Sequence, residues 1–218
     1  MNAAVTESLL RGALTTAEVV VLAIAVATPA AIIAALGRMS RFWLARLVAG
    51  AYIELFRGTS ALVQLFWAFF VLPELGVTMS PFTVGFLILG LNAGSYGAET
   101  VRGAVKAVPR GQWEAVQMLG LARWQGLRTV IFPQAIPTML PPIGNTLIDV
   151  LKASSLVSLI TVSDFTRAVN KWATTGALDL TLAYSLLLIG YLVLSVPITG
   201  GMRLLESRYR RRMPTRTR

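Results

Sequence analysis

Residues 17–36 read AEVVVLAIAVATPAAIIAAL, twenty residues in which Glu18 is the only charge. About 20 apolar residues rising 1.5 Å each cross a hydrocarbon core of about 30 Å, so this run predicts a membrane-spanning helix, with Pro29 as a kink that neighbouring helices accommodate. Four further runs follow, and the predicted spans cover about residues 13–36, 48–72, 82–101, 141–162 and 180–200. The whole chain agrees: 55% of its 218 residues are hydrophobic and only 14% charged, with mean hydropathy +0.66, more apolar surface than one water-soluble core of this length would bury. The expected fold is all-α and integral to the membrane, a single transmembrane domain over residues 1–218. No Cys or His is present, which removes disulfides, thiolates, imidazole bases and most transition-metal sites. The start, MNAAVTESLLRG, lacks a basic region, apolar core and small-residue cleavage site, so the first span is expected to stay in the mature protein.

Net charge is +10, and the Lys and Arg lie mainly in the loops. One side collects Arg38, Arg41, Arg46, Arg102, Lys106, Arg110, Arg123, Arg128 and seven arginines of the tail RLLESRYRRRMPTRTR; the other holds Arg11, Arg167 and Lys171. The positive-inside rule puts the richer side and the C-terminus in the cytoplasm, with the N-terminus outside as five crossings require. The tail reads as a topology anchor attracted to anionic lipid.

Polar residues within spans are costly, roughly 2.5 to 3.5 kcal/mol for a charge on insertion scales, and so read as functional or as paired structural groups. Asn92, Ser95, Tyr96 and Glu99 follow i, i+3, i+4, i+7 on the third span, and Asn145, Asp149 and Lys152 follow i, i+4, i+7 on the fourth. Facing each other, the clusters would line a path for a zwitterionic or charged solute; alternatively Asp149 and Lys152 pair and the rest hold helices together. Gly90 and Gly94, with Ala93 and Gly97 beside them, suit close helix packing. Glu54 and Arg57, three apart, read as a local interfacial ion pair or as a gate or coupling contact.

The segment EAVQMLGLARWQGLRTVIFP, residues 114–133, interrupts this apolar pattern. Pro109 suits a first helical turn, Gly120 suits a left-handed helix end, and a second short helix is expected to run through ARWQGLRTVIF until Pro133. Ala115, Met118, Leu119 and Ala122 make an apolar stripe too short to span. The pair either lies on the bilayer with Trp113 and Trp124 at headgroup depth or docks into a soluble partner's groove.

This segment resembles the EAA loop of ABC importer permeases: Glu-Ala-Ala, three residues, Gly, nine residues, Ile, one residue, Leu-Pro. Here Glu114, Ala115, Val116, Gly120, Val130, Phe132 and Pro133 stand at matching spacing, with Val116 for Ala, Val130 for Ile and Phe132 for Leu. ELFRGTSALVQLFW (54–67) resembles an element of the polar amino-acid permeases, with Ser60 where Pro is usual. LNAGSYGAETVRGAVKAVPRGQWEA (91–115) and PQAIPTMLPPIGNTLIDVLKASSLVSLI (133–160) are similar to later blocks. The resemblance implies a type I importer permease in a bacterial inner membrane. Its loop, about residues 104–137, would be seated in a cytoplasmic ATPase subunit through Glu114, Ala115, Gly120, Val130 and Pro133.

The same resemblance implies a second permease chain, identical or paralogous, and an extracytoplasmic solute-binding protein. ATP and Mg belong to the partner ATPase: the chain has no GxxxxGK[ST] phosphate loop and is itself no enzyme. The candidate path is Asn92, Ser95, Tyr96, Glu99, Asn145, Asp149 and Lys152. The cargo expected is a polar amino acid or related zwitterion, and FRGTSALVQLFWAFFVLP with GLNAGSYGAETVRG is also similar to ectoine and hydroxyectoine permeases. A self-sufficient secondary transporter or channel, with Glu99 and Asp149 binding protons or ions, is the competing reading.

Overall fold

The computed structural model describes residues 3–210, which are helical with no strand among them. Helix α1 spans Ala3–Met39, roughly 55 Å long, and starts ten residues before the expected span. The added turns have a packing reason: Val5 and Leu9 are buried against Phe165, Ala168 and Val169. Pro29 lies inside this single helix.

The expected second span, 48–72, is two helices. Helix α2 (Trp43–Gly58) stops where Thr59 and Ser60 turn extended, and α3 (Ala61–Phe66) begins beyond them, running into a π turn at Trp67–Val71. Gly58 and the β-branched Thr59 weaken helix continuation. The carbonyls freed at the break find side-chain donors, described below. Helix α4 (Pro81–Ala107) is capped by Ser80, whose Oγ accepts from the Thr83 N–H at 3.1 Å, with Pro81 in the first turn.

After α5 (Arg110–Met118), α6 (Arg123–Gly126) passes through a π turn at Leu127–Ile131 into α7 (Phe132–Ala153) and a tight 3-10 end at Ser154–Ile160. This corrects two expectations: Pro133 does not stop a short helix, and the fourth span does not start afresh near residue 141. Pro133 falls in the first turn of α7, where a missing N–H costs least, and Phe132 N–H bonds five residues back to Leu127 O. Helix α8 (Phe165–Thr174), unforeseen in the sequence, and α9 (Leu180–Arg210) complete the chain. Residues 211–218 of the basic tail lie outside the described residues.

Among the described residues, three stretches are long and apolar enough to cross a membrane: Ala3–Met39, Arg123–Ile160 and Leu180–Tyr209. Helix α4 has the length, but Asn92, Ser95, Tyr96, Glu99 and its glycines dilute its hydropathy. The core lies between α1 and α4, joined by α7, around Val19, Ala23, Val84, Leu89, Val150 and Val157. The expected small-residue seam is present. A Cβ on Gly90 would stand 2.7 Å from Ala23 O, and on Gly94 or Gly97 2.8 or 2.9 Å from Cβ of Ala30 or Ala31, so only glycine allows this approach. Leu188, Leu192, Val193 and Val196 of α9 are exposed, an apolar surface suited to lipid.

Candidate functional site

Two regions collect the residues singled out by sequence. The first is the α5–α6 elbow. Leu119 ends α5, Gly120 follows at φ 65, and the N–H groups of Gly120 and Leu121 bond to Gln117 O (3.0 Å) and Val116 O (3.2 Å), the paired closure of a Schellman end. The next turn opens with Ala122 N–H donating to Gln125 Oε1 at 3.2 Å. Val116 is buried and packs directly on Gly126, a glycine not singled out in the sequence; any side chain there would collide with it. Gln134 Nε2 donates to Gln112 Oε1 at 3.0 Å, tying α5 to α7.

The elbow therefore has an inner and an outer side. Trp113, Leu127 and Val130 pack inward against the cluster of Val105, Val108, Ile131 and Met139. Glu114 and Ala115 are exposed on the other side, beside Met118 at 89% and Leu119 at 73% exposure; Pro133 is exposed on α7. Of the expected coupling residues, then, Glu114 and Ala115 present an open face, Gly120 makes the turn, and Val130 is anchored within.

The second region is the helix break. Asn92 Nδ2 donates to Phe56 O and to Gln64 Oε1, both at 3.0 Å; Gln64 Nε2 donates to Phe56 O (2.9 Å), Thr59 O (3.2 Å) and Thr59 Oγ1 (2.7 Å). Two amides thus satisfy carbonyls that a continuous helix would have used. Gln64 was missed because a lone Gln carries no periodic signal. The expected Glu54–Arg57 pair is not formed: the Arg57 guanidinium lies over the Tyr96 ring, 5.3 Å from its centroid.

Asn92, Tyr96, Thr146 and Asp149 line a cavity of about 270 Å³ between α4 and α7, so the two polar clusters do meet. They meet only in part. Ser95 is fully buried and bonds back to Asn92 O at 2.6 Å, Glu99 takes a forked bond from Arg102 at 2.9 and 3.1 Å, and Asn145 is exposed outside the cavity. Lys152 stands 3.6 Å from Asp149, both side chains over two-thirds exposed, a pairing worth little in itself. Positions three and four apart lie on either side of a helix's mean direction, which is why α4 sends Asn92 and Tyr96 to the cavity and Ser95 elsewhere.

Beyond the far end of α7, Asp164 is fully buried and caps α8, accepting from the N–H groups of Arg167 (3.0 Å) and Thr166 (3.2 Å). Burial pushes its carboxyl above the usual aspartate range, against the pull of those N–H groups. Thr16 Oγ1 of α1 accepts from Phe165 N–H at 3.0 Å, and Tyr191 of α9 bonds Thr166 at 2.8 Å, so three helices converge here.

Residues 27–211 match the model of the family described as binding-protein-dependent transport system inner membrane component. The glutamine transport system permease of Escherichia coli (strain K12) is 35% identical over 202 residues, 92% of each chain. A probable amino-acid ABC transporter permease of Sinorhizobium fredii is 46% identical over 162 residues, 72% of this chain and 68% of that one. Among solved structures, an amino acid ABC transporter crystallised with histidines superposes with TM-score 0.85 at 33% identity, covering 93% of this chain and 94% of that chain. The fold alone is shared with an inward-facing methionine ABC transporter, at TM-score 0.76 and 18% identity over 96% of this chain and 99% of that one. With a permease fold, an elbow exposed on one face and a family match over most of its length, the chain belongs to the binding-protein-dependent transport system inner membrane components.

Proposed function

We propose that this chain is the permease subunit of an ATP-driven importer for polar amino acids, held in the inner membrane with its C-terminus in the cytoplasm and its elbow seated on an ATPase subunit. The observation that carries this is the elbow: a nine-residue helix, a left-handed glycine and an uncovered face of Glu114, Ala115, Met118 and Leu119, fixed from behind by Val116 and Trp113. A face so apolar fits a partner's groove. Transport needs a second permease chain, because the cavity at Asp149 is bounded by only two helices of this one, and a binding protein outside delivers cargo.

Five crossings carry the path: α1, the broken α2–α3 pair, α4, the α6–α7 rod and α9. The broken pair beside Asn92 and Arg57 suits a midplane site, since the break places the polar amides of Gln64 and Asn92 and the charge of Arg57 at membrane depth. Glu99, Ser95, Asn145 and Lys152 then serve as surroundings of a path whose contacts are Asn92, Tyr96 and Asp149. Glu54 and Arg57 would act at its gate, Arg57 through Tyr96. The relatives above are transporters of glutamine and other amino acids, which favours an amino acid over ectoine.

Uptake of labelled glutamine, histidine, cystine and ectoine into vesicles holding this chain with ATPase, second permease and binding protein tests the reading. Uptake should require ATP and fall at least about tenfold in Glu114→Ala. It should vanish in Gly120→Pro, which cannot adopt positive φ and removes an N–H bonded to Gln117 O. Uptake that persists without the ATPase would instead establish a self-sufficient transporter.

A further inference from the structure

Behind the elbow, on the side away from Met118 and Leu119, lies a second cavity of about 450 Å³ that the transport reading does not use. Arg38, Arg102, Lys106, Arg110 and Arg123 line it and no acidic side chain does; of the five, only Arg102 has a carboxylate partner among the described residues, Glu99. The rest of its lining is apolar: Met39, Val105, Val108, Leu127 and Trp113. Five cations gathered around one open recess repel one another unless an anion completes it.

A second observation says which anion. Along the same three elements runs an apolar groove of about 270 Å³, lined by Ile24, Thr28 and Ile32 of α1, Gly97 and Val101 of α4, and Phe132 and Ile136 of α7. The two spaces succeed one another. On α4 one helical turn leads from Val101 in the groove to Val105 in the basic cavity, on α1 two turns lead from Ile32 to Met39, and on the rod Phe132 gives way to Leu127. An apolar groove in the hydrocarbon ending in a cationic cavity lined in part by Trp113 matches one class of molecule in shape and polarity.

We infer that this groove and cavity bind one anionic phospholipid, its phosphate among Arg38, Lys106 and Arg123 and an acyl chain against Ile32, Val101 and Ile136. The inference rests on the membrane-spanning reading, with the C-terminal end of α4 at the cytoplasmic headgroups. The lipid pins the inner side of the elbow to the bilayer while the outer side stays free for a partner.

Native mass spectrometry of the full chain in detergent, with an equal mixture of dioleoylphosphatidylglycerol and dioleoylphosphatidylcholine, tests it. Phosphatidylglycerol should be retained about tenfold or more over phosphatidylcholine, the order of effect expected of several juxtamembrane cations. The preference should disappear in Arg38→Gln/Lys106→Gln/Arg123→Gln. It should survive in the charge-conserving Arg38→Lys/Lys106→Arg/Arg123→Lys and in the tail variant Arg208→Gln/Arg211→Gln/Arg212→Gln, and weaken in Ile136→Trp, which fills the groove. Equal retention of the two lipids, or loss in the tail variant and not in the cavity variant, overturns the proposal. So does displacement of the lipid by glycerol 1-phosphate or inorganic phosphate at matched concentration, which would assign the cavity to a soluble phosphate. Retention is read without ATPase, binding protein or cargo, so its failure leaves the transport reading standing and failed uptake leaves the lipid site standing.

Discussion

Val116 fills the position where the family loop has its second Ala, and its two methyl groups close the space above Gly126. The pair explains the departure from the motif: a larger residue on α5 is matched by the absence of one on α6. Gly126→Ala should therefore destabilise the elbow by about 1–3 kcal/mol through overpacking. Val116→Ala in the same chain should restore much of it, because the two methyl groups are gone and only Cβ atoms meet, at a separation of 3.1 Å that a small shift relieves. Hydrogen exchange of residues 110–126 reads both effects; failure of the second change to rescue the first would show that Gly126 matters for another reason. At Asp164 the expected outcome is a pH dependence. Its folded carboxyl holds a proton to higher pH than an unfolded aspartate does, because it is buried. Stability is therefore fullest below the ordinary aspartate range and declines as pH rises through the raised value. Melting of the detergent-solubilised protein should show that decline, and Asp164→Asn, which can still cap α8, should flatten it.

Among the elements, the break between α2 and α3 depends on two amides from outside the broken helices' hydrogen-bond ladder. Gln64→Leu should cost about 1–3 kcal/mol by leaving the Thr59 carbonyl without its side-chain donor and Asn92 without its Gln64 acceptor, while Phe56 O keeps the Asn92 bond. Asn92→Leu added to it should cost more than it does alone, since Asn92 is then the last side-chain donor to Phe56 O, an effect that outweighs the Asn92–Gln64 bond already lost. Thermal unfolding of the two single and one double variant measures this; strict additivity would mean the amides act independently. The break also shows where sequence reading reaches its limit. Hydropathy over 48–72 reports an apolar run because it averages over residues, whereas the interruption is set by Gly58, Thr59 and two partners, one of them 28 positions beyond the other. The small-residue face of α4 was legible, since Gly90, Gly94 and Gly97 repeat on one side, but not that α1 is the helix that meets it. Helix α8 was not, because its apolar positions lie within ten residues between two spans. Pro133 misled for a related reason: it falls in the first turn of α7, just after a π turn, where its missing N–H costs least, so it opens a helix instead of closing one.

At the scale of the molecule, one side of the elbow is packed and the other open, while α9 offers a lipid-suited surface at the periphery. Met118→Asp/Leu119→Asp changes only exposed side chains, so the fold should persist with unchanged melting. Affinity for the ATPase subunit, measured by co-purification at graded concentrations, should fall by about tenfold or more, as expected when central apolar contacts are replaced by charge. Unchanged association would move the docking surface elsewhere. The candidate site was legible to the same degree as the fold: the elbow by its spacing, and Asn92, Tyr96 and Asp149 by their polarity. Which neighbours stay out of the cavity depended on helix rotation, a quantity no spacing rule supplies.

The unbroken passage from Arg123 to Ile160 makes the elbow's second helix the foot of a lever whose shaft carries Asp149. At 1.5 Å per residue, Asp149 sits roughly 39 Å from Arg123, so a tilt of about 10° about the foot sweeps it by roughly 7 Å. The π turn at Leu127–Ile131 and the three prolines Pro137, Pro141 and Pro142 are the points of flexure between foot and cavity, and their stiffness sets how much of a tilt at the elbow reaches Asp149 and how much is lost as bending.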